Sequence, residues 1–271
     1  MIPVKVGGLS LTDAPWDAGT IDGWLDSPGA QVPSTPRIRH GDVAGVSRWA
    51  GRTIKIEGLL HTRDCDQQQA ERDRLVGLFY DGQSQLVEVT HGGVATSGRF
   101  QAIDRVDFYP ITPTVAEWTL SLYSEEPWLY AATQHVSVAA AGSGIGLVYP
   151  LYTPSGVLSY GKPSDATTGV LTNHGTADAW PIFWPRGDMP TGFRIIQDGH
   201  VIEWGGSMTT ATPVAVDTGR SAVEMAGTDV SHYLSRDDFQ PVRPGQSVAV
   251  TFEPLGGGTG YLDATIASTY I

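Results

Sequence analysis

The sequence predicts a mainly β protein made of two antiparallel β-sandwich domains. Apolar and polar residues alternate with a period of two in many short segments, which is typical of half-buried strands. The turn-forming residues are abundant, since Gly 33 and Pro 18 make up about a fifth of the 271 residues against an average of about 12%. A hydrophobic content of 41% is too high for a disordered chain, so many short strands joined by turns are expected.

The clearest strand signals in the first half lie at residues 115–123 and 52–60. In the former, Trp118, Leu120 and Leu122 alternate with polar residues, which predicts one buried and one exposed face. Two further strands are predicted at residues 86–90 and 99–108.

One segment of the first half has helical spacing instead. Asp64 is a predicted N-cap, with Gln67 three residues later, and apolar residues then recur at helical spacing as far as Phe79 before Gly82. A single helix among strands is expected to lie across a face or edge of a sheet.

The second half begins after a stretch rich in small and turn-forming residues. We therefore predict a first domain at residues 1–134, a linker at 135–166 and a second domain at 167–271. Within the second domain, Asp198-Gly199 predicts a type I′ hairpin, because both positions of that turn take positive φ. The other predicted strands lie at residues 193–197, 200–204, 213–216, 221–225, 246–252 and 261–270, which indicates a sandwich or jelly roll.

Charge and cysteine content exclude several classes of function. The formal net charge of −12 argues against nucleic-acid binding as the main role. Cys65 is the single cysteine, so neither an internal disulfide nor a cysteine-ligated zinc site is expected. The N-terminus lacks a signal-peptide pattern, and no run of about 18 apolar residues occurs; we expect a soluble chain with no membrane partner and no secretion signal.

One motif suggests catalysis. Asp217-Thr218-Gly219 matches the tripeptide that carries the carboxylate of aspartic proteases, in which two such loops face each other. A single copy would require a dimeric aspartic-type hydrolase, whereas the same tripeptide between two strands is ordinary turn chemistry. We expect no enzyme activity and assign no catalytic residue.

Ligand sites are weakly indicated. Trp180, Trp184 and Trp204 suit either a sugar-stacking platform or packing within the core or a subunit interface. A carbohydrate-binding β-sandwich is therefore the alternative function. The seven histidines are scattered without metal-ligand spacing, so no metal and no cofactor is predicted.

Three segments resemble the siphophage distal tail protein family. The first is the alternating strand that ends in Glu126-Pro127-Trp128-Leu129-Tyr130, and the second is residues 48–58 followed by the single helix. The third is the order of residues 173–181, the 216–220 turn and residues 239–250 in the second half. The resemblance covers nearly the whole chain and implies a first domain that forms a ring and a galectin-like second domain.

The resemblance also implies the function. Such a protein is a structural virion component and baseplate hub at the distal end of the tail, assembled in the host cytoplasm. It forms a homohexameric ring that joins the tail tube protein to the tail-tip hub or tail-associated protein, with the tape-measure protein as a further candidate partner. Some relatives carry inserted carbohydrate-binding modules, for which 271 residues in two domains leave no room.

Two physical expectations follow from that reading. DNA passes through the lumen of such a ring without specific binding, and an acidic wall repels phosphates; we therefore expect first-domain carboxylates to line the lumen. Unpaired edge strands are expected to contribute to contacts between subunits.

Overall fold

The computed structural model describes residues 2–140 and 167–271. These divide into two compact units, of which the first ends at Ala131 and also contains Tyr270 and Ile271, while the second runs from Ala132 to Thr269. Within the described residues, no helix has the length and apolar character needed to cross a bilayer.

The first unit is built from short and long strands around one helix. Its strands are β1 (Val4–Val6), β2 (Leu9–Ser10), β3 (Trp16–Asp22), β4 (Ala30–Gln31), β5 (Ser34–Pro36), β6 (Asp42–Ala44), β7 (Arg48–Trp49), β8 (Arg52–His61), β9 (Gln85–His91), β10 (Val94–Ala102), β11 (Asp107–Thr112) and β12 (Val115–Ser124), with α1 at Cys65–Gly77, and β13 (Leu129–Ala139) begins in it.

Two antiparallel sheets enclose the core of this unit. One has the order β2-β1-β9-β10, extended by the first residues of β13, and the other has the order β3-β8-β12-β11. Strands β8 and β12 pair along their full lengths, from Arg52 opposite Ser124 to His61 opposite Val115. The predicted alternation at residues 52–60 and 115–123 is confirmed, because every second residue of β12 is buried and, apart from Gly58, the same holds for β8.

The helix begins as predicted and ends earlier. The Asp64 carboxylate accepts a hydrogen bond from the Gln67 backbone N–H at 2.8 Å, which is the predicted N-cap. The helix ends at Gly77 and not near Gly82, because the Leu78 N–H bonds to the carbonyl of Leu75, a tightened last turn that stops the α-helical ladder. On its buried side, Gln68 donates to the carbonyl of Thr112 in β11 at 3.1 Å.

The strand predicted at residues 99–108 is wrong in one respect. It is two strands, β10 and β11, separated at residues 103–106. Asp104 lies in the break, where its carboxylate accepts from the Arg105 backbone N–H at 2.8 Å; aspartate favours turns over strands through local bonds of this kind.

The second unit contains the later part of β13 and the remaining strands. These are β14 (Thr168–Thr172), β15 (Ile182–Asp188), β16 (Phe193–Gln197), β17 (His200–Trp204), β18 (Val214–Asp217), β19 (Ala222–Met225), β20 (Thr228–Asp229), β21 (Leu234–Asp237), β22 (Ser247–Pro254) and β23 (Thr259–Tyr270), with a 3₁₀ turn at Ser231–Tyr233.

Two antiparallel sheets of this unit share one buried core. One has the order β14-β22-β16-β17-β21 and the other β13-β23-β15-β18-β19-β20, and both contribute side chains to the same cluster. Trp204 lies at its centre, stacked on Phe193 at 5.4 Å, with its indole N–H donating to the carbonyl of Val230 at 3.1 Å. The predicted hairpin is confirmed, since Asp198 and Gly199 have φ of 48° and 86° between the paired β16 and β17.

The linker predicted at residues 135–166 starts within a strand. Residues 135–139 continue β13, because Val136 and Val138 lie against the core of the second unit in an alternation that the small residues around them obscure in the sequence. Residues 141–166 of that prediction lie outside the described residues.

A buried asparagine joins three segments of the second unit. Asn173 is fully buried; its side-chain nitrogen donates to the carbonyls of Ala177 at 2.7 Å and Val242 at 2.8 Å. Its side-chain oxygen accepts from the backbone N–H groups of Gly175 at 2.9 Å and Thr269 at 3.3 Å. Two of these four bonds need an N–H donor, so a carboxylate of the same shape, which only accepts, cannot replace the amide.

We expect Asn173→Asp to lower the free energy of unfolding by about 3 kcal/mol at neutral pH, because a carboxylate would face two carbonyl oxygens without solvent. Burial and these acceptors would raise the pKa of the new carboxyl, so the loss is expected to shrink as pH falls through that pKa. Urea unfolding at several pH values measures it. His174→Asp on the neighbouring exposed side chain is the control, and an equal effect of both variants would contradict the assignment.

Candidate assembly surfaces

Residues 29–49 form a two-stranded hairpin that projects from the first unit and is called the arm below. Near its base, Ala30 and Gln31 of β4 pair with Trp49 and Arg48 of β7. Further out, β5 pairs with β6 from Ser34 opposite Ala44 to Pro36 opposite Asp42. The tip is closed by a hydrogen bond from the Arg37 N–H to the carbonyl of Gly41 at 2.9 Å. At about 3.3 Å per residue, the arm extends roughly 30 Å.

Every residue of the arm is exposed. The side chains include large apolar ones, among them Ile38 at the tip with a relative exposure of 104% and Val46 at 80%. A run of apolar side chains that none of the described residues covers is typical of an interaction surface. The other large apolar residues exposed on the arm are Val32, Val43 and Trp49.

The root of the arm is held firmly in the first unit. Trp24 is buried against Phe100 with ring centroids 5.6 Å apart, and its indole N–H donates to the hydroxyl of Thr96 at 3.2 Å. Across the base, the Ala50 N–H donates to the carbonyl of Gly29 at 2.8 Å. The arm is therefore exposed along its length but fixed in direction at its origin.

Arg52 is the central residue of that root. Its side chain is 1% exposed, and its Nη1 donates to the carbonyls of Gly23 and Asp26, both at 2.7 Å, and of Trp24 at 3.1 Å. Its Nε donates to the carbonyl of Pro127 at 3.1 Å. Burial lowers the pKa of this guanidinium, partly opposed by the nearby Asp26 carboxylate. One buried cation thus ties the segment before the arm to the segment that leads out of β12.

The arm differs in charge from the rest of the chain. It contains Arg37, Arg39 and Arg48 against Asp42, a net charge of +2. Because the whole chain carries −12, the residues outside the arm carry −14. Both tip arginines flank Ile38. The tip is an apolar side chain between two cations.

The outward side of the sheet β3-β8-β12-β11 is acidic. Strand register places Asp17, Leu59, Glu117 and Tyr109 in one row across the sheet. Tyr109 and Ile111 are 69% and 54% exposed at the edge strand β11, which pairs with β12 alone among the described residues. We call this surface the acidic face; its carboxylates are Asp17, Asp22, Glu57, Asp107 and Glu117.

Two cations partly neutralise the acidic face. Lys55 pairs with Glu57, and Arg105 pairs with Asp107 at 2.6 Å. The hydrogen bond to Glu57 raises the pKa of Lys55, and the Coulombic attraction of Glu57 adds to that rise. Five carboxylates against these two cations leave the face negative.

A groove of about 650 Å³ lies where β12 leads into β13. Tyr130 donates its hydroxyl hydrogen bond to the carboxylate of Glu126 at 2.8 Å. Burial, and then this hydrogen bond, raise the pKa of Tyr130. The Glu-Pro-aromatic segment after β12 is therefore held by a hydrogen bond beside a polar groove. Arg99 and Trp128 line the groove.

The Asp217 motif is a turn between β18 and β19. The Asp217 carboxylate accepts from the Arg220 backbone N–H at 3.0 Å, and the buried Thr218 hydroxyl donates to the carbonyl of Pro181 at 2.6 Å. The Asp217 bond closes the turn, as the turn reading of the sequence expects, and the Thr218 bond ties the turn to Pro181 just before β15.

The three tryptophans do not form one platform. Trp204 is fully buried in the five-stranded sheet, whereas Trp180 is 44% exposed beside the Asp217 turn. Trp184, in the other sheet, has the Arg186 guanidinium 5.8 Å from its ring centre. Among the residues that the structure describes, no three His, Cys, Asp or Glu side chains are grouped as a metal site would require.

The fold matches that of a solved phage protein over its whole length. The crystal structure of the Dit protein of phage SPP1, described as a paradigm of the hub adsorption apparatus in phages that infect Gram-positive bacteria, aligns with a TM-score of 0.68 at 12% identity. The alignment covers 100% of both chains. The chain has the Dit fold.

Two other solved phage or phage-like structures align with lower TM-scores. A chain of the phage p2 baseplate in its activated conformation aligns over 97% of this chain and 98% of its own, with 11% identity and a TM-score of 0.49. A chain from the virion of a native gene transfer agent particle covers 48% of this chain and 82% of its own, with 16% identity and a TM-score of 0.26. Both scores are too low to carry an argument. No protein-family model and no curated protein sequence matches.

Sequence reasoning missed the arm and the buried Arg52. The arm has a signal in hindsight, because Pro33, Pro36, Gly41 and Gly45 punctuate a stretch that is cationic within an acidic chain. For Arg52 the signal is its position in the alternation, since residues 52, 54 and 56 lie on the same side of β8 and residues 54 and 56 are apolar and buried.

Proposed function

We propose that the chain is a structural component of the distal end of a siphophage tail, a distal tail protein that forms a ring between the tail tube and the tail-tip or baseplate complex. One observation carries the proposal: the Dit fold extends over 100% of this chain and 100% of the SPP1 protein, so both units and their order along the chain correspond. The sequence segments that resemble this family support the same reading independently.

The ring is proposed to be a homohexamer. Its other partners are the tail tube protein and the tail-tip hub or tail-associated protein, with the tape-measure protein as a further candidate. DNA crosses its lumen without specific binding, which the net charge of −12 favours because an acidic wall repels phosphates. The protein resides in the virion at the distal end of the tail after assembly in the host cytoplasm.

The proposed protein is not an enzyme, and its second unit is proposed to be galectin-like. Asp217 is hydrogen-bonded within its turn and the buried Thr218 is hydrogen-bonded to Pro181, which removes the main argument for an aspartic-type hydrolase. The separation of Trp204 from Trp180 and Trp184 likewise leaves the carbohydrate-binding alternative without its expected platform.

The mass of the purified chain in solution tests the proposal. Light scattering coupled to size exclusion is expected to give a species near six times 28.9 kDa, and negative-stain images of that peak are expected to show a central hole. A chain that remains monomeric at all concentrations, or a compact dimer without a hole, would contradict a self-assembling ring.

A further inference from the structure

We infer that the arm of one subunit docks on the acidic face of the next subunit, and that this contact builds the ring. The inference rests on the proposed function and deepens it, because it identifies which two surfaces of the chain meet. The occupant of the acidic face is a second copy of this chain.

The arm needs a partner for a physical reason. An isolated two-stranded hairpin is at most marginally stable in water, and among the described residues this arm has no third strand and leaves every one of its residues exposed. Its root, in contrast, is fixed by Trp24 and Arg52, so the arm points in a set direction before it binds. A pre-oriented arm loses less conformational entropy on docking than a free segment would.

Charge complementarity selects the acidic face. The arm carries +2 whereas the rest of the chain carries −14, so the arm is attracted to other copies of its own chain. The acidic face combines carboxylates with the exposed apolar Tyr109 and Ile111 at its edge, which matches an apolar tip between Arg37 and Arg39. Attraction of this kind fixes orientation and suppresses wrong pairings.

The geometry of such a contact leads to a ring. The arm and the acidic face are different surfaces, so the contact is heterologous and each subunit donates one arm and accepts another. Heterologous contacts give closed rings or open filaments, in contrast to the two-fold dimer that a self-complementary patch gives.

Charge reversal at the tip is the first test. We expect Arg37→Glu with Arg39→Glu to raise the concentration needed for assembly at least tenfold at low salt while circular dichroism stays unchanged. Arg236→Glu with Arg243→Glu, which reverses two exposed arginines of the second unit, is the matched control and is expected to leave assembly intact. Adding Asp107→Arg and Glu117→Arg to the tip variant is expected to restore assembly, because the charges are then exchanged.

Cross-linking locates the contact directly. Ile38→p-benzoylphenylalanine is introduced into a chain labelled with ¹⁵N and mixed with unlabelled chain before irradiation. Cross-linked peptides that pair labelled residue 38 with unlabelled residues 107–117 or 17–22 support the inference, and their mixed labels prove a contact between subunits.

The outcomes separate this inference from the proposed function. If the wild-type chain forms a ring and the tip variant assembles equally well, the inference is overturned and the ring proposal stands. A cross-link from residue 38 to the second unit, or to double-stranded DNA added to the sample, has the same meaning. A wild-type chain that never assembles overturns the proposed function and this inference with it.

Discussion

Gly192→Ala is expected to lower the free energy of unfolding of the second unit by at least about 4 kcal/mol. Gly192 has φ of +90°, and an added Cβ would overlap the backbone carbonyl of Trp204 and lie 3.0 Å from the Cα of Gly205. Both contacts are with backbone, so no side chain can rotate away. Because Trp204 is the centre of the core, the shift would spread to Phe193 stacked on it.

Gly199→Ala is the matched control for that experiment. Gly199 has a similar φ of +86° but nothing within 4 Å of an added Cβ, so it pays only the left-handed backbone cost of about 1–2 kcal/mol. Urea unfolding gives the totals, and hydrogen exchange of peptides from β16 and β17 locates the loss. Equal effects of the two variants would show that the close approach at Trp204 is not a constraint.

Arg52→Ala is expected to destabilise the first unit by about 4 kcal/mol. Alanine removes the donors to the carbonyls of Gly23, Trp24, Asp26 and Pro127 and leaves a cavity at a site that is 1% exposed. The stability of Arg52→Lys is expected to lie between those of the wild type and Arg52→Ala, since one ammonium can bind the carbonyls near Nη1 but not that of Pro127 as well.

Arg99→Ala is the control, because Arg99 is exposed on β10 of the same unit and its removal is expected to change stability by no more than about 0.5 kcal/mol. Thermal unfolding followed by circular dichroism measures all three variants. Arg52→Ala is also expected to weaken ring assembly in light scattering even where the chain stays folded, because the root of the arm loosens. A variant as stable as Arg99→Ala would mean that Arg52 does not hold the root.

Local chemistry explains which elements are visible in the sequence. The alternation in β8 and β12, the N-cap at Asp64 and the Asp198-Gly199 hairpin each depend on residues within a few positions of one another, and all are as predicted. The turn at Asp217 also depends on neighbouring residues, and a turn was one of the two interpretations that the sequence allowed.

The errors arise where the deciding partner is distant in sequence. The early part of the predicted linker is strand because Val136 and Val138 find the core of the second unit, and small neighbours conceal that in the sequence. The arm is missed for a local reason instead, since its strands of two or three residues are too short to show a period.

The amino-acid sequence by itself determined the fold class, the single helix of the first half, the acidic character and the resemblance to tail proteins, because composition and short-range periodicity are properties of neighbouring residues. Only the tertiary structure decided that Arg52 is buried, that residues 29–49 stand clear of their own unit and that five carboxylates share one face of a sheet. Those features depend on register between strands far apart in the chain, where residues such as Asp17, Glu57 and Glu117 meet only after the sheet has formed.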